Sequence, residues 1–217
     1  SQGRLFPVKI EYRRRVERQS LQELVVSGVE TALDRTDGDV LVFLPGVGEI
    51  LRCRTDLEPT ARRHNLALMT LFGEMTSEDQ DRVLAPSLQR KVILSTNVAE
   101  TSITIDGVTA VVDTGFAKQM LFDADSGLDR LELVPISQAS ADQRAGRAGR
   151  TAPGLCLRLW DEAAHRRRPA ADPAELQRVD LSSAVLRLIA WGEADPQAFP
   201  WFESPPQSSL EHALRLL

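Results

Sequence analysis

The run Gln143-Arg144-Ala145-Gly146-Arg147-Ala148-Gly149-Arg150 is the segment best suited to chemistry. With 3.6 residues per turn, Gln143, Arg147 and Arg150 fall within about 60° of one another on a helix, while Ala141, Ala145 and Ala148 take the opposite side. Two guanidiniums and an amide on one face can grip a polyphosphate through charge-assisted, forked hydrogen bonds. Each interior glycine costs about 1 kcal/mol relative to alanine, and like-charged neighbours repel. The segment therefore departs from what local stability favours, as functional segments do. A solvated basic helix is the plain alternative, but it has no use for Gly146 and Gly149. Arg144 sits about 100° from Gln143, which assigns it a structural role.

A second polar run, Ser95-Thr96-Asn97-Val98-Ala99-Glu100-Thr101-Ser102-Ile103-Thr104-Ile105-Asp106-Gly107, follows the apolar Val92-Ile93-Leu94. This places it at the carboxyl end of a buried strand, where open α/β sheets bind ligands. If residues 102–106 are extended, Ser102, Thr104 and Asp106 face one side and Ile103 and Ile105 the other. Hydroxyls and a carboxylate would then meet a ribose or phosphate over an apolar anchor. Ordinary turn chemistry, with local bonds from side chain to backbone, explains the same residues. The sequence holds no Gly-x-x-x-x-Gly-Lys-Ser/Thr loop to cradle phosphates and no Asp-Glu-x-His to hold Mg²⁺.

The elements that must position these runs alternate between strand and helix, which favours a parallel sheet covered by helices. Val8–Tyr12, Val40–Leu44, Leu66–Phe72, Val92–Leu94, Val108–Val112 and Gly154–Trp160 read as strands. Helical spacing covers Leu21–Leu33, with Ser20 as N-cap, Ile50–Leu57, Thr76–Leu84 and Ser140–Arg150. Leu121–Asp123 and Leu128–Ile136 flank the turn signal Asp125-Ser126-Gly127, so an added β-hairpin is expected there. Residues 166–173 read as a linker. Beyond it, Asp180 can cap a helix that ends at Gly192. A last helix, Ser208–Leu217, carries an apolar stripe expected to pack on chain outside this sequence.

Composition bounds the rest. The 217 residues hold 42% hydrophobic side chains and a formal net charge of −5, which excludes global disorder and fits one large domain, or one with part of a second. No apolar run approaches the roughly 20 residues of a membrane span. The opening Ser1-Gln2-Gly3-Arg4 shows neither an initiator Met nor a signal peptide, and the sequence reads as an excised fragment. Two cysteines, Cys53 and Cys156, exclude a disulfide framework and point to a reducing, cytoplasmic setting. The three histidines are too scattered for a metal motif. Of 26 basic residues only three are Lys. Arginine suits forked phosphate recognition, and coding bias accounts for the count equally well.

Together the motifs resemble a family. Leu41-Val42-Phe43-Leu44-Pro45-Gly46 with Glu49-Ile50, then Leu71-Phe72-Gly73, the Ser95–Gly107 run and the Gln143–Arg150 run look like motifs IV, IVa, V and VI of DEAH-box helicases of superfamily 2, in that family's order. The stretch 158–165 and the tail from Ala190-Trp191-Gly192 to Pro205-Pro206 look most like its bacterial HrpB branch. The resemblance implies a RecA-like parallel sheet with helices on both faces and an added β-hairpin, spanning residues 1–165 as the second RecA-like domain. Residues 166–217 would be a linker and the truncated start of a winged-helix domain.

In this family ATP lies between two RecA-like domains that move along single-stranded RNA. The resemblance implies that Arg147 and Arg150 are arginine fingers on the β/γ-phosphates, with Gln143 near the γ-phosphate and the attacking water. Such fingers contribute about 10³–10⁵ in rate. It also implies that Ser102, Thr104 and Asp106 approach the nucleotide, Asp106 through the ribose. Leu84 falls where relatives place an aromatic residue on the adenine, and an aliphatic side chain there grips a base weakly. Gly73, Thr96 and Asn97 would hold the RNA backbone without regard to sequence, as would Lys118 on a hairpin, residues 118–137, that parts strands or guides RNA. ATP with Mg²⁺ is the implied cofactor, its metal ligands expected on the first RecA-like domain of the full-length protein. The domain alone is expected neither to hydrolyse ATP nor to unwind a duplex, and no membrane is implied. Two other readings stay open: a binding module that kept the fold and lost catalysis, and a DNA translocase.

Overall fold

Short apolar runs bounded by turn residues build the sheet, as expected for strands buried on both faces. The computed structural model describes residues 6–13, 19–101, 105–123 and 126–217. In chain order the elements are β1 (Val8–Tyr12), α1 (Leu21–Arg35), β2 (Asp39–Phe43), α2 (Val47–Arg63), β3 (Ala67–Leu71), α3 (Ser77–Leu84), β4 (Lys91–Ser95), α4 (Val98–Thr101) and β5 (Val108–Asp113). There follow β6 (Phe116–Asp123), β7 (Leu128–Pro135), α5 (Gln138–Gly146), β8 (Gly154–Arg158), α6 (Glu162–Arg166), α7 (Ser182–Trp191) and α8 (Gln207–Leu216). The sheet has the order β1-β8-β5-β2-β4-β3, and every pairing in it is parallel.

Strand residues alternate between two cores. Val40, Val42, Leu94, Val112 and Leu157 pack with Leu24 and Val29 of α1 and Ile50 and Leu57 of α2. Leu41, Phe43, Ile93, Val111 and Cys156 face the other way, onto Val83, Ala99, Ala145 and Ala148. Each fully buried large apolar side chain here contributes about 1.5–3 kcal/mol. Capping fixes where the covering helices begin. The Ser20 hydroxyl accepts from the Glu23 amide at 3.2 Å, and the Glu23 carboxylate accepts from the Ser20 amide at 2.7 Å, a complete capping box. At α3 only half of this pattern forms: the Thr76 hydroxyl accepts from the Asp79 amide at 3.2 Å and donates to the Asp79 carboxylate at 2.9 Å. Helix α2 runs beyond the expected Leu57, through Pro59 to Arg63.

The chain divides into two compact units, residues 1–117 with 134–171, and residues 118–133 with 172–217. Residues 168–170 are held on the first unit: Arg168 donates to the carbonyls of Gly115 and Ile136, both at 2.8 Å, and lies 4.4 Å from the Trp160 ring centre. Pro169 and Ala170 accept from the amides of Gln138 and Ala139. In the second unit, Gly127 turns the hairpin with φ 65°, beside residues 124 and 125, which lie outside those described. Asp180 accepts from the Ser182 amide at 3.1 Å, and Gly192 ends α7 with φ 106°. The stripe of α8 is not left for chain outside the sequence. Leu210 and Ala213 are buried with Leu181 and Val185, and it is the terminal Leu216 and Leu217 that stay exposed.

Candidate nucleotide and nucleic-acid site

The arginine run is not one continuous helix. Helix α5, capped by the Ser137 hydroxyl on the Ser140 amide at 3.1 Å, stops at Gly146, and residues Arg147–Gly149 tighten into a 3₁₀ turn. The expected common face of Gln143, Arg147 and Arg150 assumed a constant 3.6-residue period, which the tighter turn breaks. Gln143 is exposed and Arg150 half-buried, whereas Arg147 is 5% exposed. Its Nε donates to the Glu100 carbonyl at 3.0 Å, as does its Nη2. Burial first, then the nearby Arg150, push its pKa below the usual arginine value, against the pull of Glu100.

Arg144 takes the structural place. It is 1% exposed, with Nε 2.9 Å from the Glu100 carboxylate and Nη1 3.0 Å from Asp113, and its guanidinium lies 4.7 Å from the Phe43 ring centre. Burial disfavours its charge, but the two carboxylates outweigh that and raise its pKa. Sequence reasoning gave Glu100 and Asp113 no role. A structural arginine, once buried, needs carboxylates to meet it, but the sequence does not say which of 31 acidic residues supply them.

The glycines differ in use. A Cβ on Gly149 would sit 2.6 Å from the Phe6 carbonyl oxygen, while one on Gly146 would meet nothing within 4 Å. Gly149→Ala should therefore destabilise by about 1–3 kcal/mol, and Gly146→Ala should be neutral or gain up to about 1 kcal/mol. Thermal melts of the two variants decide this, and equal melting temperatures would refute it.

Among the described residues, the polar segment after β4 starts at the carboxyl edge of the sheet and ends at its amino edge. Thr96 and Asn97 leave the carboxyl end of β4, and the Thr96 amide donates to the Leu71 carbonyl at 3.1 Å, which brings Gly73, just after β3, to the same edge. Thr96 is half-buried; Asn97 and Gly73 are exposed. Asp106 lies two residues before β5, so it is at the amino edge, not at the carboxyl edge where the whole segment was expected. Helix α4 carries the chain away from the first edge, and a parallel strand must restart at the other. At that amino edge, an open pocket of about 540 Å³ collects Asp106 and Gly107 with Leu84, Asp37 and Asp39. Its Arg90 and Lys91 are engaged, Arg90 with the Gly38 and Leu33 carbonyls and Lys91 with the Val83 and Ala85 carbonyls. Carboxylates around an aliphatic wall suit ribose hydroxyls and a base better than phosphate. Ser102 and Thr104 lie outside the described residues, and Lys118 is on β6 in the second unit. Among the described residues no group of three or more His, Cys, Asp or Glu is placed to hold a metal ion. No described helix is long and apolar enough to cross a membrane.

Comparison with known proteins gives this geometry a family. The helicase conserved C-terminal domain matches residues 18–152. Over 219 residues the chain is 39% identical to the ATP-dependent RNA helicase HrpB of Escherichia coli, covering 100% of this chain and 27% of that protein. Over 223 residues it is 41% identical to the pre-mRNA-splicing factor ATP-dependent RNA helicase prp22 of Schizosaccharomyces pombe, covering 99% of this chain and 19% of that protein. The crystal structure of the Escherichia coli DEAH/RHA helicase HrpB matches with a TM-score of 0.91 at 40% identity, over 100% of this chain and 28% of that one. The chain thus spans 19–28% of the length of these relatives. With its six-stranded parallel, RecA-like sheet, this chain belongs to the helicase conserved C-terminal domain family, as a DEAH-box superfamily 2 member resembling HrpB.

Proposed function

We propose that the chain is the second motor domain of an ATP-dependent RNA helicase. Residues 1–165 form the second RecA-like domain, and residues 166–217 lead into a winged-helix domain. ATP, bound with Mg²⁺ chiefly by the first RecA-like domain, receives Arg147 and Arg150 on its β/γ-phosphates and Gln143 beside the attacking water. The guanidiniums would stabilise the charge that grows on the transferring phosphoryl group. Ser102, Thr104 and Asp106 approach the nucleotide, Asp106 through the ribose, and Leu84 lies against the base. Thr96, Asn97 and Gly73 hold the backbone of single-stranded RNA, and Lys118, on the second unit, is a separate RNA contact.

The observation that supports this reading is that Thr96, Asn97 and Gly73 gather at the carboxyl edge of the sheet while Asp106 lies in a pocket at its amino edge. A motor domain must touch both its nucleotide and its track, and the two edges offer a separate surface to each. ATPase turnover of the full-length protein, measured with and without matched single-stranded RNA and DNA, tests it. RNA should stimulate more than DNA. Thr96→Val should raise the half-stimulating RNA concentration about tenfold, the worth of one hydrogen bond to a charged group, and its effect should vanish when RNA is omitted. A protein that binds RNA without stimulated turnover would be a silent binding module, and equal stimulation by DNA would mark a DNA translocase.

A further inference from the structure

We infer that Glu100 is a positioning residue that ties the RNA side of the domain to its arginines, an inference that rests on the function just proposed. Three contacts converge on it. Its amide donates to the Asn97 carbonyl at 2.9 Å, so its backbone is fixed to the loop that holds Thr96 and Asn97. Its carboxylate takes Arg144 Nε at 2.9 Å, which anchors α4 to α5. Its carbonyl takes both Nε and Nη2 of Arg147. One residue thus touches the RNA loop, the helix that carries Gln143 and the arginine expected to serve as a finger.

Neutralising Arg144 does not account for this arrangement. Asp113, fully buried, already pairs with Arg144 at 3.0 Å, and charge balance gives no reason for the carbonyl contact to Arg147. What the contacts do explain is a linkage. Arg147 is 5% exposed and held on the Glu100 carbonyl, so the reach of its guanidinium toward a phosphate depends on where that carbonyl sits. A displacement of Asn97 by bound RNA moves that carbonyl, because only Val98 and Ala99 lie between them and the Glu100 amide is bonded to the Asn97 carbonyl. Engagement of Arg147 is therefore conditional on the loop after β4, and the Glu100 carboxylate holds the hinge of this movement on Arg144.

The test uses the full-length protein and a single-stranded homopolymeric RNA. Glu100→Gln keeps the size, an acceptor oxygen and the backbone carbonyl, and removes the charge. The ratio of RNA-stimulated to RNA-free turnover should fall roughly 2- to 30-fold, the range for residues that couple two sites, with unchanged half-saturating ATP. A merely structural residue would move the melting temperature and both turnover numbers together, leaving the ratio where it was. If Glu100→Gln folds poorly, Arg144→Lys, which keeps the charge and loses the Nε–H donor, should lower the same ratio. An unchanged ratio in whichever variant folds overturns the inference. Wild-type protein without RNA stimulation would instead overturn the function it rests on, an outcome visible before any variant is made.

Discussion

Replacing Arg150 by alanine in the full-length protein should lower RNA-stimulated kcat by about 10³-fold or more, with only modest loss of RNA affinity. The size follows from what an arginine finger supplies to phosphoryl transfer, about 10³–10⁵ in rate. Arg150 is the better placed of the two candidates. It follows the 3₁₀ turn, half-buried, whereas Arg147 is folded onto the Glu100 carbonyl. The two guanidiniums are near enough for Arg150 to depress the Arg147 pKa, a repulsion that a polyphosphate between them would relieve. Arg150→Lys should recover little, because a point charge cannot reproduce the planar fork. Single-turnover and steady-state ATPase assays with saturating RNA read the effect. A loss below about tenfold would remove Arg150 from the transition state. Identical behaviour of Arg150→Ala and Thr96→Val would refute the separation of nucleotide and RNA edges.

The fold was legible where local chemistry decides it. Ser20 and Thr76 cap because a hydroxyl before an apolar stripe has one good use, and Val40–Leu44 could only be a strand buried on both faces. The family, too, followed from a few segments, since motif VI combines glycine, arginine and glutamine in a spacing that packing alone does not produce. What the sequence hid is long-range. Nothing in it says that Glu100 and Asp113, 44 and 31 residues from Arg144, are its partners. Periodicity extended α5 through Arg150, and missed that the chain tightens after Gly146 so that Gly149 can lie against the Phe6 carbonyl. The partner of the α8 stripe was missed for a similar reason. Leu181, at the N-cap of α7, and Val185 within it supply that partner, and pairing the apolar faces of two helices needs three dimensions.

Arg144→Ala should be the most destabilising single substitution in the arginine run, costing about 3–5 kcal/mol. The side chain is 1% exposed and Asp113 is fully buried. Asp113 spends one oxygen on Arg144 and on the Gly115 amide at 2.8 Å, while Oδ2 has no partner among the described residues. Removing the guanidinium would strand that carboxylate where water cannot reach it, and would also empty the space over Phe43. For a domain of this size, about 2–4 °C is lost per kcal/mol, so the melting temperature should fall by about 6–20 °C. The double variant Arg144→Met with Asp113→Leu separates the two causes. Apolar replacement of a whole buried ion pair is often neutral or better, and Glu100, at the edge of the cluster with 14% of its side chain exposed, can turn to solvent. If the stranded charge dominates, the double variant should melt well above Arg144→Ala. If the two melt together, the loss lies in packing over Phe43. If Arg144→Ala melts like the wild type, the buried pair is not what holds the arginine segment on the sheet.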